Sequence, residues 1–111
     1  MSDSLKVLAQ AQPAANTLTT IYTVPNTVDI GTTISSVVIC NTDPGFTVFR
    51  VSIAIGGAVD TLKQYLYYDL SMDGNDTFIA TIGISLAEGD EVRVQSASGL
   101  LTFNIFGVEV S

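Results

Sequence analysis

The sequence predicts an all-β fold, an antiparallel, jelly-roll-like β-sandwich of about seven strands with an extended N-terminal arm. Three observations lead there. From Lys63 to Ser111 the chain alternates apolar and polar residues with period 2, so Phe78, Ala80, Ile82, Ile84 and Leu86 share one strand face. Val92 and Val94, then Phe103 and Ile105, continue the pattern. Short polar corners interrupt it at Asp73-Gly74-Asn75-Asp76, Ala87-Glu88-Gly89-Asp90 and Ala97-Ser98-Gly99.

The elements follow in order. Residues 1–16 form a separate segment, the arm. Leu5, Lys6, Val7 and Leu8 give it a short extended or helical stretch, and Pro13 stops any long helix. Such an arm, at ~3.3 Å per residue, would span about 50 Å and reach a neighbouring subunit. Leu5, Lys6, Val7, Leu8 and Pro13 are therefore the candidate partner-binding residues, and deleting the arm should leave the remainder folded. Residues 17–111 form the sandwich domain. Leu18–Val24 is β-branched and ends at Pro25. After a loop at Asn26–Gly31 comes Thr32–Asn41, whose Val37–Ile39 run is apolar on both faces and suits a central strand. Cys40, the single cysteine, has no partner for a disulfide within the chain and is expected as a buried thiol.

Thr42-Asp43-Pro44-Gly45 turns the chain into Phe46–Ile55, with Phe49, Val51, Ile53 and Ile55 inward and Arg50 and Ser52 outward. A loop at Gly56–Thr61 leads to Lys63–Met72. There Leu66, Tyr68, Leu70 and Met72 share one face and Tyr65, Tyr67 and Asp69 the other. Tyrosine suits interfaces because it offers large rigid area and a hydrogen-bonding tip. Tyr65, Tyr67 and Tyr68, with Phe106 of the last strand, are thus the candidate self-association residues. Gly107 is expected to mark a bulge that re-aims Val108 and Val110.

Composition bounds the function. The chain has 111 residues, 47% of them hydrophobic and only 14% charged. A domain of this size buries roughly 60–70% of its unfolded surface, so much apolar material stays outside and marks contact surfaces. Eleven acids against four bases give a net charge of −7, which opposes nucleic-acid binding. Most acids fall in corners, where solvated turns are the simple reading. No secretory signal or membrane-length apolar segment is visible, so synthesis in a cytoplasm and a soluble chain are expected. With no histidine, Ser–His and Cys–His catalysis are excluded; with a single cysteine besides, neither a structural zinc site nor a cofactor is expected. A two-carboxylate hydrolase could draw on Asp69, Asp73, Asp76 or Asp90, but no spacing brings any two together. The chain does not read as an enzyme.

Several segments resemble a recurring pattern in tailed bacteriophages, cyanophages among them. They are Leu18-Thr19-Thr20-Ile21-Tyr22-Thr23-Val24-Pro25, Val38-Ile39-Cys40-Asn41 and Phe49-Arg50-Val51-Ser52-Ile53-Ala54. To these are added Lys63-Gln64-Tyr65-Leu66-Tyr67-Tyr68-Asp69, Asn75-Asp76-Thr77-Phe78, Gly89-Asp90-Glu91-Val92-Arg93-Val94 and Phe103-Asn104-Ile105-Phe106-Gly107. Nearly the whole chain resembles the small β-sandwich virion structural proteins of those phages. The resemblance implies a head decoration (cement) protein, commonly a homotrimer, on the outer surface of the expanded capsid. The implied partners are the major capsid protein and other copies of the chain. Related sandwiches serve in tails and fibres, which gives a second expectation. A third is carbohydrate binding on an aromatic platform at Tyr65, Tyr67 or Tyr68.

Overall fold

Nine strands build the protein, seen in a computed structural model that describes residues 3–26 and 31–110. In chain order they are β1 (Asp3–Ala11), β2 (Thr19–Thr23), β3 (Gly31–Asn41), β4 (Thr47–Ala54) and β5 (Tyr65–Met72). Then follow β6 (Thr77–Ala80), β7 (Ile84–Leu86), β8 (Glu91–Ser96) and β9 (Leu101–Val110). One sheet runs β1-β9-β3-β6, with β7 also paired to β3, and the other runs β2-β8-β4-β5. All pairings are antiparallel. β6 and β7 share one strand position beside β3, so each sheet has four positions and the chain repeatedly crosses between sheets. That is the strand order of a jelly roll. The expected Asn26–Gly31 loop lies largely outside the described residues, as do positions 1, 2 and 111.

The alternating apolar residues meet between the sheets. Phe49, Phe103, Ile34, Ile39, Leu101 and Ile105 are fully buried. Phe49 anchors an aromatic cluster, with ring centroids 5.4 Å from Phe78, 6.0 Å from Tyr67 and 6.5 Å from Phe103. Offset and edge-on rings at such distances add to the burial energy. The seven expected strands are all present. The count rises to nine because the one strand expected to carry Phe78, Ala80, Ile82, Ile84 and Leu86 breaks at residues 81–83 and because the N-terminal segment is itself a strand.

That second difference alters the domain division. Asp3–Ala11 pairs with β9 along almost its whole length, so it is an edge strand of the sandwich and not a free arm. Leu8 and Ala9 pack against the core, and Pro13 is buried. A bulge makes this fit: Val7 lies opposite Phe106 and Ala9 opposite Ile105, leaving Leu8 as the extra residue. β3 carries a matching irregularity, with Ser35 extra between Ile34 and Ser36. The Ser35 hydroxyl donates to the Phe106 carbonyl at 3.1 Å. The bulges thus lie on both neighbours of β9 and not at Gly107. Gly107 is required for closeness: a Cβ there would meet the Thr33 carbonyl oxygen, with Ile34 Cα at 3.0 Å.

Other expectations shift for local reasons. Cys40 is only part-buried, because it pairs with Thr102 and Thr77 on the outer side of its sheet. Ile55 is 77% exposed, since the strand ends at Ala54 and a 3₁₀ turn carries Ile55 away. Ser52 is fully buried, and its hydroxyl has no hydrogen-bond partner. In β5, Leu70 lies opposite Phe49 and Tyr67 opposite Val51, so Tyr68 and Asp69 together face Arg50. Asp69 adopts φ 53 at this bulge. The extra residue inverts the alternation, and Tyr67 turns inward on the same side as Met72.

Candidate assembly surfaces

The outer face of the β1-containing sheet follows from parity. Ile105, Phe103, Val37 and Ile39 point inward, so their strand neighbours point out. Val7 lies beside Phe106, and Leu5 beside Val108. Val38 lies between Asn104 and Ile79, and Thr33 between Val108 and Ser85. Leu5 is 84% exposed, Ile79 62% and Val7 48%. Apart from apolar residues the face carries Gln10, Ser36, Thr77 and Thr102. Among the residues whose side chains are described, none at an outward register position of this sheet is charged.

The charge of this sheet is turned inward instead. Glu109, on the inward parity of β9, is 9% exposed and accepts from the Tyr22 hydroxyl at 2.5 Å. Lys6 Nζ stands 2.5 Å from its other oxygen. Tyr22 also bonds Thr32 at 3.0 Å, so the cluster ties β2 of one sheet to β1, β3 and β9 of the other. Burial pushes the Glu109 carboxyl up. The hydrogen bonds from Lys6 and Tyr22 and the Lys6 charge outweigh this and hold it below the usual carboxylate range. Burial, then the bond to Glu109, pushes the Tyr22 phenol up to about 12.

The opposite sheet presents a charged and aromatic outer face. Arg50 donates to both Asp69 oxygens, at 2.7 and 3.2 Å, and lies 4.1 Å over the Tyr68 ring. Tyr68 meets Tyr65 edge-on at 5.0 Å, and the Tyr65 hydroxyl donates to Asp60 at 3.0 Å. The Arg50 hydrogen bonds and charge lower the Asp69 pKa. A depression of about 230 Å³ beside this cluster is lined by Asn16, Val48, Arg50, Asp69, Gln95 and Ala97. With Arg50 over one ring and Tyr67 in the core, the three tyrosines do not form one flat platform.

A third surface is the β4–β5 loop, where Ile55, Val59 and Leu62 are 77%, 85% and 77% exposed. The loop is nevertheless firmly held. The buried Asp90 carboxylate accepts from Gly56 N–H and Ala87 N–H, both at 2.9 Å. Arg93 donates to the Ala58 carbonyl at 2.8 Å and the Gly57 carbonyl at 3.2 Å, while Glu91 pairs with it at 3.0 Å. Gln64 donates to the Val59 carbonyl and accepts from Thr61 N–H. Gly57 has φ 74, the left-handed region that favours glycine, beside the end of the Glu91 side chain. Ile53, Ile55, Ala58, Lys63 and Gln64 line an adjoining hollow of about 400 Å³.

The residues expected to bind partners are therefore dispersed. Of the arm set, Lys6, Leu8 and Pro13 are engaged within the domain, while Leu5 and Val7 face out. Of the self-association set, Tyr67 packs against Phe49 and Phe78. Tyr65 and Tyr68 lie on one outer face and Phe106 on the opposite one, so they cannot make one patch. Asp90 and Arg93 were not singled out for the loop brace. Arg93 had one signal, being one of four bases in an acidic chain. Comparison with family models, with curated proteins and with solved structures gave no match.

Proposed function

We propose that this chain is a structural protein of a phage virion, a capsid decoration (cement) protein. It binds the outer surface of the expanded head, joins neighbouring major capsid protein subunits, and acts with other copies of itself, as a homotrimer. One observation carries the reading: a jelly roll that keeps two separate apolar surfaces in solvent, a largely apolar sheet face and a braced loop. A clamp needs two such surfaces, one for its own kind and one for the lattice. The resemblance of the strand segments to phage virion proteins supports the same class. No catalytic step and no cofactor enter this function.

In this reading the lattice contact is the Ile55–Leu62 loop, taking the place of the expected arm. Bracing by Asp90 and Arg93 fixes the loop before it binds, which lowers the ordering cost of docking. Many copies on one lattice then act together through avidity, and binding confined to the expanded form stabilises that form by mass action. A tail or baseplate role would use the same loop at far fewer copies.

The test is sedimentation of the purified protein with expanded heads of the phage that carries its gene. Replacing Ile55, Val59 and Leu62 by Ser should abolish co-sedimentation while leaving the circular dichroism spectrum unchanged. Full head binding by this variant would contradict the loop assignment, and failure of the unaltered protein to bind heads would contradict the function.

A further inference from the structure

From the outer face of the β1-β9-β3-β6/β7 sheet, we infer that copies of this chain pack on one another through it, with Leu5, Val7, Val38, Ile79, Phe106 and Val108 at the contact. This deepens the self-association part of the function above and rests on its premise that the chain works as an assembled subunit. It moves the contact from the tyrosine strand to the opposite sheet and, because a face that meets its own copy is self-complementary, makes the unit a two-fold pair in place of the trimer.

Charge identifies the occupant. The chain carries −7, and identical chains repel wherever their acids face each other. Among the residues whose side chains are described, the acids lie at the corners (Asp43, Asp60, Asp73, Asp76, Glu88, Asp90) or on the other sheet's outer side (Asp69, Glu91). Glu109 is folded inward against Lys6 and Tyr22. Among the residues whose side chains are described, the β1-containing sheet is the broad face on which two copies can meet without opposing carboxylates. A basic or acidic partner would find no charge to match across most of it, whereas a second copy needs none.

Size agrees. Four strand positions ~4.8 Å apart and strands of roughly nine residues give a face of about 19 by 30 Å, or ~570 Å² before side-chain relief. A stable interface takes about 800 Å² of accessible surface from each partner, which a corrugated face of this footprint supplies. Sheets stacked ~10 Å apart interdigitate such side chains as the two sheets inside the sandwich do. Interface cores are depleted in charge and enriched in aromatic residues, and Phe106 sits near the centre of this face.

Analytical ultracentrifugation of the protein alone, without heads, tests the inference separately from capsid binding. The unaltered chain should sediment above the mass of one chain at micromolar concentration, and added salt should tighten the association by screening the net charge. Ile79→Lys and Leu5→Asp change highly exposed side chains, so the fold should persist by circular dichroism. Each should weaken self-association at least about thirtyfold, the lower end of the cost of an unpaired charge at an interface. Tyr68→Ser, on the opposite face, should leave it within about threefold. A monomeric unaltered protein, or face variants that associate undiminished, would overturn the inference. So would dissociation caused by Tyr68→Ser alone. If the face variants stayed associated and lost only head binding, the face would belong to the capsid.

Discussion

Glu109 shows what one charged residue does inside an apolar sandwich. An unpaired carboxylate there would be costly, so the fold supplies Tyr22 and Lys6 as donors. Tyr22→Phe removes one donor and should cost about 1–3 kcal/mol in urea unfolding. Lys6→Met should cost less, since the Lys6 side chain is 47% exposed and its charge is partly screened. The pH dependence has two limbs. Glu109 has a lowered folded pKa, so its contribution is present above the ordinary value of 4.5 and is lost as pH falls below that. Tyr22 has a raised folded pKa, so its contribution is full below pH 10 and is lost as pH rises towards about 12. Thermal unfolding across pH should show both limbs, and Tyr22→Phe should shrink the alkaline one, to which Tyr65, also raised by burial and its bond to Asp60, contributes as well. Glu109 shares the parity of Phe103 and Ile105, but the bulge expected at Gly107 would turn it outward, so its burial was not read from the sequence. Nor was the inward turn of Tyr67, because one bulged residue at Asp69 inverts the count and no residue type announces it.

At the scale of elements, β1 is the instructive strand. Its sequence reads as an arm, with small residues, a proline and only scattered apolar positions. Its pairing with β9 depends on Leu8 bulging towards the core and on Glu109 waiting for Lys6, both non-local facts. Deleting residues 1–11 should therefore destabilise the domain, not merely disarm it, by exposing the β9 edge and uncovering Glu109. A lowered unfolding midpoint by circular dichroism is the expected result, and an unchanged midpoint would restore the arm. Gly107 makes a second element-level prediction. Gly107→Ala forces apart β9 and β3 at the Thr33 carbonyl and should cost about 1–3 kcal/mol, as overpacking does. The strand positions of residues 17–110 were readable because alternation and corner residues are local signals. The braced loop was only half readable: Gly56-Gly57 marks a loop, but Asp90 and Arg93 reach it from 34 to 36 residues away.

At the scale of the whole molecule, the fold keeps the charges whose side chains are described away from one broad face, and its most exposed aliphatic residues lie on that face and on one loop. Either feature alone occurs in many single-chain proteins, since scattered exposed apolar residues are ordinary. In the proposed function the face serves the chain's own copies and the loop the lattice, and the acidic remainder would keep nucleic acid and other particles away. The measurement that tests this most directly is the copy number per virion, by quantitative mass spectrometry of purified particles against the major capsid protein. A count comparable to the capsid protein is predicted. A few copies per particle, or none, would contradict the decoration role.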